Sequence, residues 1–214
     1  MIRYIGKSLF IKEKDKNILI ISDLHIGKVS GENEAQQIVG RQLQKELFLD
    51  LTKILDKMNK LSEIIILGDL KHDFSENTIS EREGIVNLFD FLVNFCDKLI
   101  IVKGNHDNFV HIMTKNRKDI EIVDKLIIGK YCFLHGDRDC VEIYDKEIKY
   151  WIMGHLHPSI KLNDGVKNEL YKCFLTGEYG KKKIIILPSF DNSSYGSNVV
   201  ELTSNLIWSF DLKN

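Results

Sequence analysis

The sequence predicts an α/β domain whose first half is a parallel sheet with helices and whose second half adds a further sheet. In the first half, short runs of aliphatic residues alternate with segments of helical periodicity, the order typical of a parallel sheet. After about residue 119, short strand-like segments predominate, which indicates a second sheet packed against the first. Prolines occur only at Pro158 and Pro188, and no linker or repeat interrupts residues 1–214, so we expect one domain.

Aliphatic runs define the strands of the first half. Residues 18–21 are four consecutive aliphatic residues with no polar face, which favours a strand that is buried on both sides. Residues 34–58 instead carry apolar side chains at helical spacing, among them Leu43, Leu47 and Leu51. The predicted elements are strands at 9–11 and 17–21, a helix at 34–58, a strand at 64–67, a helix at 85–95 and a strand at 99–102.

Shorter apolar segments follow in the second half, and a turn separates two of them. Gly129 and Lys130 lie between the segments 126–128 and 131–134, which is typical of a β-hairpin. The strands predicted in this half are 120–123, 126–128, 131–134, 150–153, 170–175 and 183–187.

Composition and charge restrict the class of protein. Hydrophobic residues make up 43% and charged residues 29%, as in a soluble globular domain. Lysine plus arginine number 30 and aspartate plus glutamate 31, so the net charge of -1 argues against a DNA-coating role while allowing a local basic cleft. The four cysteines form no CxxC pair, and the aliphatic run 18–21 is too short for a signal or membrane segment. We therefore expect a cytoplasmic protein with reduced thiols and no membrane contact.

Polar clusters follow five of the predicted strands. The carboxyl ends of strands in α/β sheets form the ligand crevice, so these clusters should meet in space. Six of the seven histidines belong to them, and His111 is the exception. The clusters are Asp23 and His25; Asp69, His72 and Asp73; Asn105, His106 and Asp107; His135 and Asp137; and His155 and His157.

These residue types fit a metal site with nitrogen and oxygen ligands. Imidazoles, carboxylates and an amide oxygen suit manganese, iron, zinc, cobalt or nickel. They exceed what one ion can use, whereas two ions that share a carboxylate would use them fully. Alternate residues of a strand share a face, so Asp23 and His25 can point at one ion, as can His155 and His157. Glycines precede three of the clusters and would allow the backbone to approach closely.

The motifs Asp-x-His, Gly-Asp, Gly-Asn-His-Asp, His and Gly-His-x-His resemble those of the calcineurin-like metallophosphoesterase superfamily over residues 17–160. Residues 23–28, 68–73 and 188–190 further resemble the small archaeal and bacterial ICC-like phosphoesterases related to SbcD-type repair nucleases. The resemblance implies an α/β fold in four αββα layers, with two mixed sheets inside and helices on the outer faces. It also implies a set of metal ligands: Asp23, His25 and His157 for one ion, Asn105, His135 and His155 for a second, and Asp69 as the bridge between them.

Three further residues receive catalytic roles from the resemblance. His106 would lie beside the scissile phosphate as a proton donor or charge stabiliser. Asp107 would orient His106 by fixing its tautomer. His72 would be a second histidine near the phosphate, although an exposed position at the start of a helix is an equal alternative for it. Lys28 is expected in solvent rather than on the substrate, and the turn-like segment 191–198 is expected to wall the pocket.

The activity that the resemblance implies is hydrolysis of phosphoesters, phosphodiesters before monoesters, by a hydroxide that bridges two divalent ions. Manganese is the favoured metal. The expected partners are the phosphoester substrate and, weakly, nucleic acid. The alternatives are a nuclease subunit of a DNA-repair complex and a non-catalytic metal-binding scaffold. The pair His106 and Asp107 favours catalysis over the scaffold, and fewer than about sixty residues follow His157, too few for the capping domain of a repair nuclease.

Overall fold

A mixed sheet of six strands forms the first half of the protein. The computed structural model describes residues 1–29, 34–74, 78–163 and 165–199. The first two strand pairings are antiparallel and the remaining three are parallel, and neighbours in the sheet follow chain order. The strands are β1 Ile2–Ile5, β2 Ser8–Glu13, β3 Lys16–Ile21, β4 Leu61–Leu67, β5 Cys96–Val102 and β6 Ile120–Val123.

Three helices pack on one face of this sheet: α1 Glu34–Leu55, α2 Ile79–Leu92 and α3 Val110–Thr114. Leu51 of α1 and Leu88 of α2 are fully buried in the cluster that includes the inner residues of the sheet. Both long helices were predicted, but α2 begins six residues before the predicted start at 85. Its first turn is polar and is capped by the Thr78 side chain, which accepts a hydrogen bond from the Glu81 amide.

Two smaller sheets make up the second half. One has five strands in the order β12-β13-β9-β8-β7, and the other has three in the order β11-β10-β14. The strands are β7 Leu126–Ile128, β8 Tyr131–Phe133, β9 Tyr150–Met153, β10 Pro158–Asn163, β11 Asn168–Lys172, β12 Leu175–Tyr179, β13 Lys182–Ile186 and β14 Ser197–Asn198.

The six-stranded and five-stranded sheets form the expected sandwich. Leu19 and Ile21 of β3 face the helices, whereas Ile18 and Ile20 face the second sheet, as the alternation of side chains in a strand requires. The outer face of the second sheet buries Trp151 and Met153. Among the described residues, the short 3₁₀ helix Val141–Tyr144 packs on this outer face. This layer is thinner than the one that α1 and α2 form on the opposite side of the sandwich.

Of two local predictions in the second half, the hairpin is confirmed and one strand is wrong. The hairpin at Gly129 and Lys130 is confirmed, because β7 and β8 pair antiparallel across it. The single strand predicted at 170–175 is wrong: residues 170–172 belong to β11, residue 175 begins β12, and these two strands lie in different sheets. The pairing with β10 ends where the Cys173 amide donates to the Pro158 carbonyl at 3.0 Å, and the chain then crosses to the larger sheet.

No helix among the described residues combines the length and the apolar composition that crossing a membrane requires.

Candidate metal centre

The polar clusters predicted from the sequence meet where the ends of β3, β4 and β5 in one sheet approach the ends of β8 and β9 in the other. The His135 ring joins the two sheets, since its Nδ1 donates to the Leu67 carbonyl at 2.8 Å. On the same edge the His155 amide donates to both carboxylate oxygens of Asp23, at 3.0 and 3.1 Å. The convergence that the sequence predicted is therefore present, and each sheet contributes to it.

Four side chains form what we call the first ligand group: Asp23, His25, Asp69 and His157. One ligand atom from each lies within 4.8 Å of the others. The Nε2 atoms of His25 and His157 are 3.2 Å apart, and His157 Nε2 is 3.3 Å from Asp23 Oδ1. Ring nitrogens and carboxylate oxygens therefore point at one common position.

A second ligand group consists of Asp69, His135 and His155, with Asn105 beside them. His135 Nε2 lies 3.0 Å from Asn105 Oδ1, 3.1 Å from His155 Nδ1 and 3.3 Å from Asp69 Oδ1. A single ring nitrogen carries at most one hydrogen and cannot hydrogen-bond to all three neighbours at once. Their approach is better explained as a set of ligand atoms around a shared cation.

Asp69 belongs to both ligand groups. Its Oδ1 faces His135, and its Oδ2 is 3.6 Å from Nε2 of His25. One carboxylate thus has an oxygen in each group, as a bridge between two ions requires. The donor set of imidazoles, carboxylates and one amide fits divalent transition metals such as manganese, iron or zinc.

The ligand loops have an unusual backbone. Seven described residues other than glycine have positive φ, and five of them are expected ligands. Single residues in this left-handed region cost about 1–2 kcal/mol each, and such strain gathers at functional sites. These residues lie after the ends of the strands, and left-handed bends of the backbone bring their side chains together. The explanation that Asp23 and His25, or His155 and His157, share a face of a strand was therefore wrong. The five are Asp23 (φ 52°), His25 (45°), Asp69 (49°), His155 (67°) and His157 (45°).

Two glycines allow the loops to approach so closely. A Cβ at Gly154 would lie 1.8 Å from Ser22 Oγ, and a Cβ at Gly104 would lie 2.3 Å from the Asp69 amide nitrogen. Neither position can accept a side chain without moving a ligand loop. The expectation that glycines before the clusters permit close approach is confirmed at these positions.

His106 lies beside Asp69, as expected for a group near the phosphate. Its amide donates to Asp69 Oδ1 at 3.1 Å, and its Nε2 is 3.9 Å from Asp69 Oδ2. The predicted contact with Asp107 is wrong: Asp107 accepts hydrogen bonds from the amides of Gly104 and Leu70, both at 2.8 Å. Asp107 therefore fixes two loops of backbone, and the acceptor for His106 Nδ1 is the His72 carbonyl.

His72 and Phe74 complete the surroundings of His106. The His72 Nδ1 is 3.4 Å from His25 Nδ1, and the His72 ring is stacked on that of His106 at 5.5 Å. The His72 side chain is therefore part of the cluster, in line with the predicted histidine near the phosphate. Phe74, which sequence reasoning missed, places its ring 3.8 Å from the His106 ring while 55% of its surface stays exposed.

The segment after β13 holds the Asp23 loop in place. Ser189 Oγ donates to the Asp23 carbonyl at 2.9 Å, and the Asp191 amide donates to the same oxygen at 3.1 Å. Lys28 forms an ion pair of 2.7 Å with Asp191, so the expectation of a solvated lysine was wrong. Residues 191–193 line a cavity of about 530 Å³ between His25 and the helices α1 and α2. The expectation that 191–198 walls the substrate pocket stays a prediction.

Two ligand histidines have opposite pKa shifts. Burial lowers the pKa of His25 to about 4, against the attraction of Asp69. Burial would also lower the pKa of His135, but its hydrogen bond to Asp69 and the charge of Asp23 raise it to about 9. Burial likewise works against ionisation of Asp69, and its contacts with His135 hold the pKa of the carboxyl well below its usual range. His25 is thus ready to bind a cation at neutral pH, whereas His135 must first release a proton.

A two-sheet sandwich with an Asp, His and Asn cluster at the strand ends places the protein among metal-binding α/β proteins. The family model of the calcineurin-like phosphoesterases matches residues 16–159, and the chain belongs to that family. No curated protein matches the sequence significantly.

A solved structure shows the same fold. The nuclease MPE from Pseudomonas putida aligns with a TM-score of 0.55 at 18% identity, over 89% of this chain and 89% of that one. The E. coli phosphoesterase Yfce aligns with a TM-score of 0.41 at 16% identity, over 81% and 79% of the two chains. Wild-type Vps29 from Entamoeba histolytica, complexed with zinc, gives 0.37 at 16% identity, over 80% and 73%.

Proposed function

We propose that the protein is a phosphodiesterase that works with two divalent ions. The observation that carries this proposal is the position of Asp69, whose two oxygens face different ligand groups. Asp23, His25 and His157 would hold one ion, and Asn105, His135 and His155 the other. Manganese is the metal we favour for this mixture of nitrogen and oxygen ligands. When bound, such ions activate water for attack and neutralise the charge of the phosphate.

His106 is the proton donor in this proposal. Its Nδ1 is fixed on the His72 carbonyl, which leaves Nε2 on the side of Asp69 and the ligand atoms. As a water oxygen bonds to phosphorus and the bond to the leaving oxygen breaks, the water releases a proton to solvent and Nε2 delivers its own proton to the leaving oxygen. The ring, which starts as an imidazolium, ends as the neutral tautomer with its hydrogen on Nδ1, and it regains a proton from solvent.

The surface beside His106 favours a diester over a monoester. A diester has a second organic group, which must lie near the proton donor if its oxygen is to leave. Phe74 offers an exposed aromatic face there, next to the His106 ring. Nucleic-acid bases stack on such faces without regard to sequence, so nucleoside diesters and flexible single strands are the substrates we expect. The net charge of -1 provides little attraction for a duplex.

We also propose that the protein acts in a reducing compartment such as the cytoplasm. All four cysteines are free, and Cys96 and Cys132 are buried. Burial raises the pKa of the Cys96 thiol to about 11 and that of Cys132 to about 12, which keeps both as unreactive thiols.

The direct test loads the protein with manganese and measures bound metal and activity together. We expect two ions per chain and faster hydrolysis of bis(p-nitrophenyl) phosphate and single-stranded DNA than of p-nitrophenyl phosphate and duplex DNA. One ion at saturation would refute the bridging role of Asp69. A preference for the monoester would refute the diesterase assignment, and efficient cleavage of duplex DNA would favour a repair-type nuclease instead.

A further inference from the structure

The carboxylate of Glu81 lies beneath the loop that carries His72. Glu81 is in the first turn of α2 and is 1% exposed. Its Oε1 accepts hydrogen bonds from the amides of His72 and Asp73, at 3.0 and 3.2 Å. The His72 amide also donates to the Ile26 carbonyl at 3.1 Å. Glu81 therefore determines where the peptide between His72 and Asp73 lies.

Lys71 compensates the charge of Glu81. Lys71 is fully buried, and its Nζ lies 3.8 Å from Glu81 Oε2 and in contact with the Asp73 carbonyl. Removing two charges from water is unfavourable, and an apolar pair of similar size is often as stable. The ion pair at this position is thus poorly explained by stability alone, which directs attention to what the carboxylate holds.

The peptide between His72 and Asp73 connects Glu81 to His106. Its N–H, on Asp73, donates to Glu81, and its C=O, on His72, accepts from His106 Nδ1. A peptide unit is planar, so fixing the direction of the N–H also fixes the direction of the C=O on the opposite side. A hydrogen bond to a carboxylate at one end additionally polarises the carbonyl at the other.

We propose that Glu81 is a positioning residue for His106, acting through this one peptide plane. The inference rests on the proposed role of His106 as proton donor. Glu81 holds the carbonyl that orients the ring, and the ring in turn directs Nε2 at the leaving oxygen. Glu81 would therefore orient His106, the role that the family resemblance implied for Asp107, and it would act through the peptide rather than by direct contact with the imidazole.

Two conservative variants separate the acceptor of Glu81 from its charge. E81D keeps both charges but withdraws the carboxylate from the two amides by one methylene. The double variant K71M/E81Q removes both charges but retains an oxygen that can accept from both amides. Glu83 is exposed in the same turn of α2, so E83D is a matched control.

The measurement compares two thymidine diesters in manganese-loaded protein. The p-nitrophenyl ester of thymidine 5′-phosphate has a leaving group that departs without a proton, whereas the dinucleotide TpT needs one. We expect E81D to lower kcat on TpT about 10–100-fold, the scale of a misplaced catalytic group, and on the nitrophenyl ester less than about threefold. KM and bound metal should stay unchanged, and E83D should behave like the parent protein. K71M/E81Q, which keeps an acceptor for the two amides, should lose less on TpT than E81D does. In a His106→Ala background, E81D should have no further effect on TpT.

Equal losses on both esters, or a larger loss in K71M/E81Q than in E81D, would show that Glu81 is structural and overturn the proposal. Full activity of E81D on TpT would do the same. These outcomes differ from failure of the proposed function itself, in which the unmutated protein with two bound ions hydrolyses neither ester.

Discussion

The two ligand groups share Asp69 but have contrasting surroundings. Around His25, in the first group, stand three more imidazoles: those of His72, His106 and His157. His135, in the second group, lies between two carboxylates: its Nε2 is 3.3 Å from Asp69 and its Nδ1 is 3.9 Å from Asp23. The same Nδ1 donates to the Leu67 carbonyl of β4. The first group is thus surrounded by other imidazoles, while the second is part of the junction between the sheets. Two histidine ligands of the same type therefore have pKa values shifted in opposite directions by their surroundings.

Replacement of the shared carboxylate should have the largest effect. Asp69→Asn leaves one oxygen where both groups need one, so we expect loss of both ions and activity reduced to background. His157→Ala is the matched control, because it removes a ligand of the first group alone and should release one ion. Elemental analysis after dialysis distinguishes the two variants. Retention of one ion by Asp69→Asn would show that only one of the two ligand groups depends on Asp69.

Replacement of the proton donor should have the next largest effect. His106→Ala should keep both ions and lose about 10²–10⁴ in kcat, the usual scale for a positioned acid–base group. His106 is not one of the expected ligands, so the metal content should equal that of the parent protein. Release of metal by this variant would instead make His106 a ligand.

The smallest effect concerns the pH dependence of stability in the metal-free protein. The pKa of His135 is raised to about 9 from 6.5, so its stabilisation is complete below pH 6.5 and disappears as the pH rises through 9. The pKa of His25 is lowered to about 4, so the protein loses stability as the pH falls from 6.5 to 4. Each effect is about 3 kcal/mol at most.

Urea unfolding of the chelator-treated protein at several pH values measures both effects. His135→Ala should remove the decline above pH 6.5. His25→Ala should reduce the decline below it, to which burial of His72 and His155 also contributes by lowering the pKa of each ring. Parallel pH profiles for the two variants would show that the two groups do not differ electrostatically.

The convergence of the site could be predicted because its signal is local. Each ligand follows an aliphatic run, and parallel strands bring their ends together whatever the details of the loops. The group that orients His106 could not be predicted, because a backbone carbonyl such as that of His72 leaves no pattern in the sequence. The side chain of the neighbouring Asp107, in contrast, is visible in the sequence. Glu81 was missed for a related reason, since an acidic residue in the first turn of a helix is ordinary.

The fold shows the same limit. The α/β half was predicted from periodicity, and the strands β3, β4 and β5 lie where the aliphatic runs are. Residues 170–175 look like one strand because the change of sheet at Cys173 depends on a partner, the Pro158 carbonyl, far away in the chain. That the whole chain forms one domain remains a prediction.

The left-handed backbone of the ligand loops has a consequence for the evolution of stability. Five such residues at about 1–2 kcal/mol each sum to about 5–10 kcal/mol, comparable with the entire net stability of a typical domain. Glycine would relax each bend. At His157, whose side chain is partly exposed, the substitution His157→Gly should raise the melting temperature of the metal-free protein while abolishing its chemistry. A chain selected for robustness alone would carry glycine there, and this one carries the side chains that a cation needs.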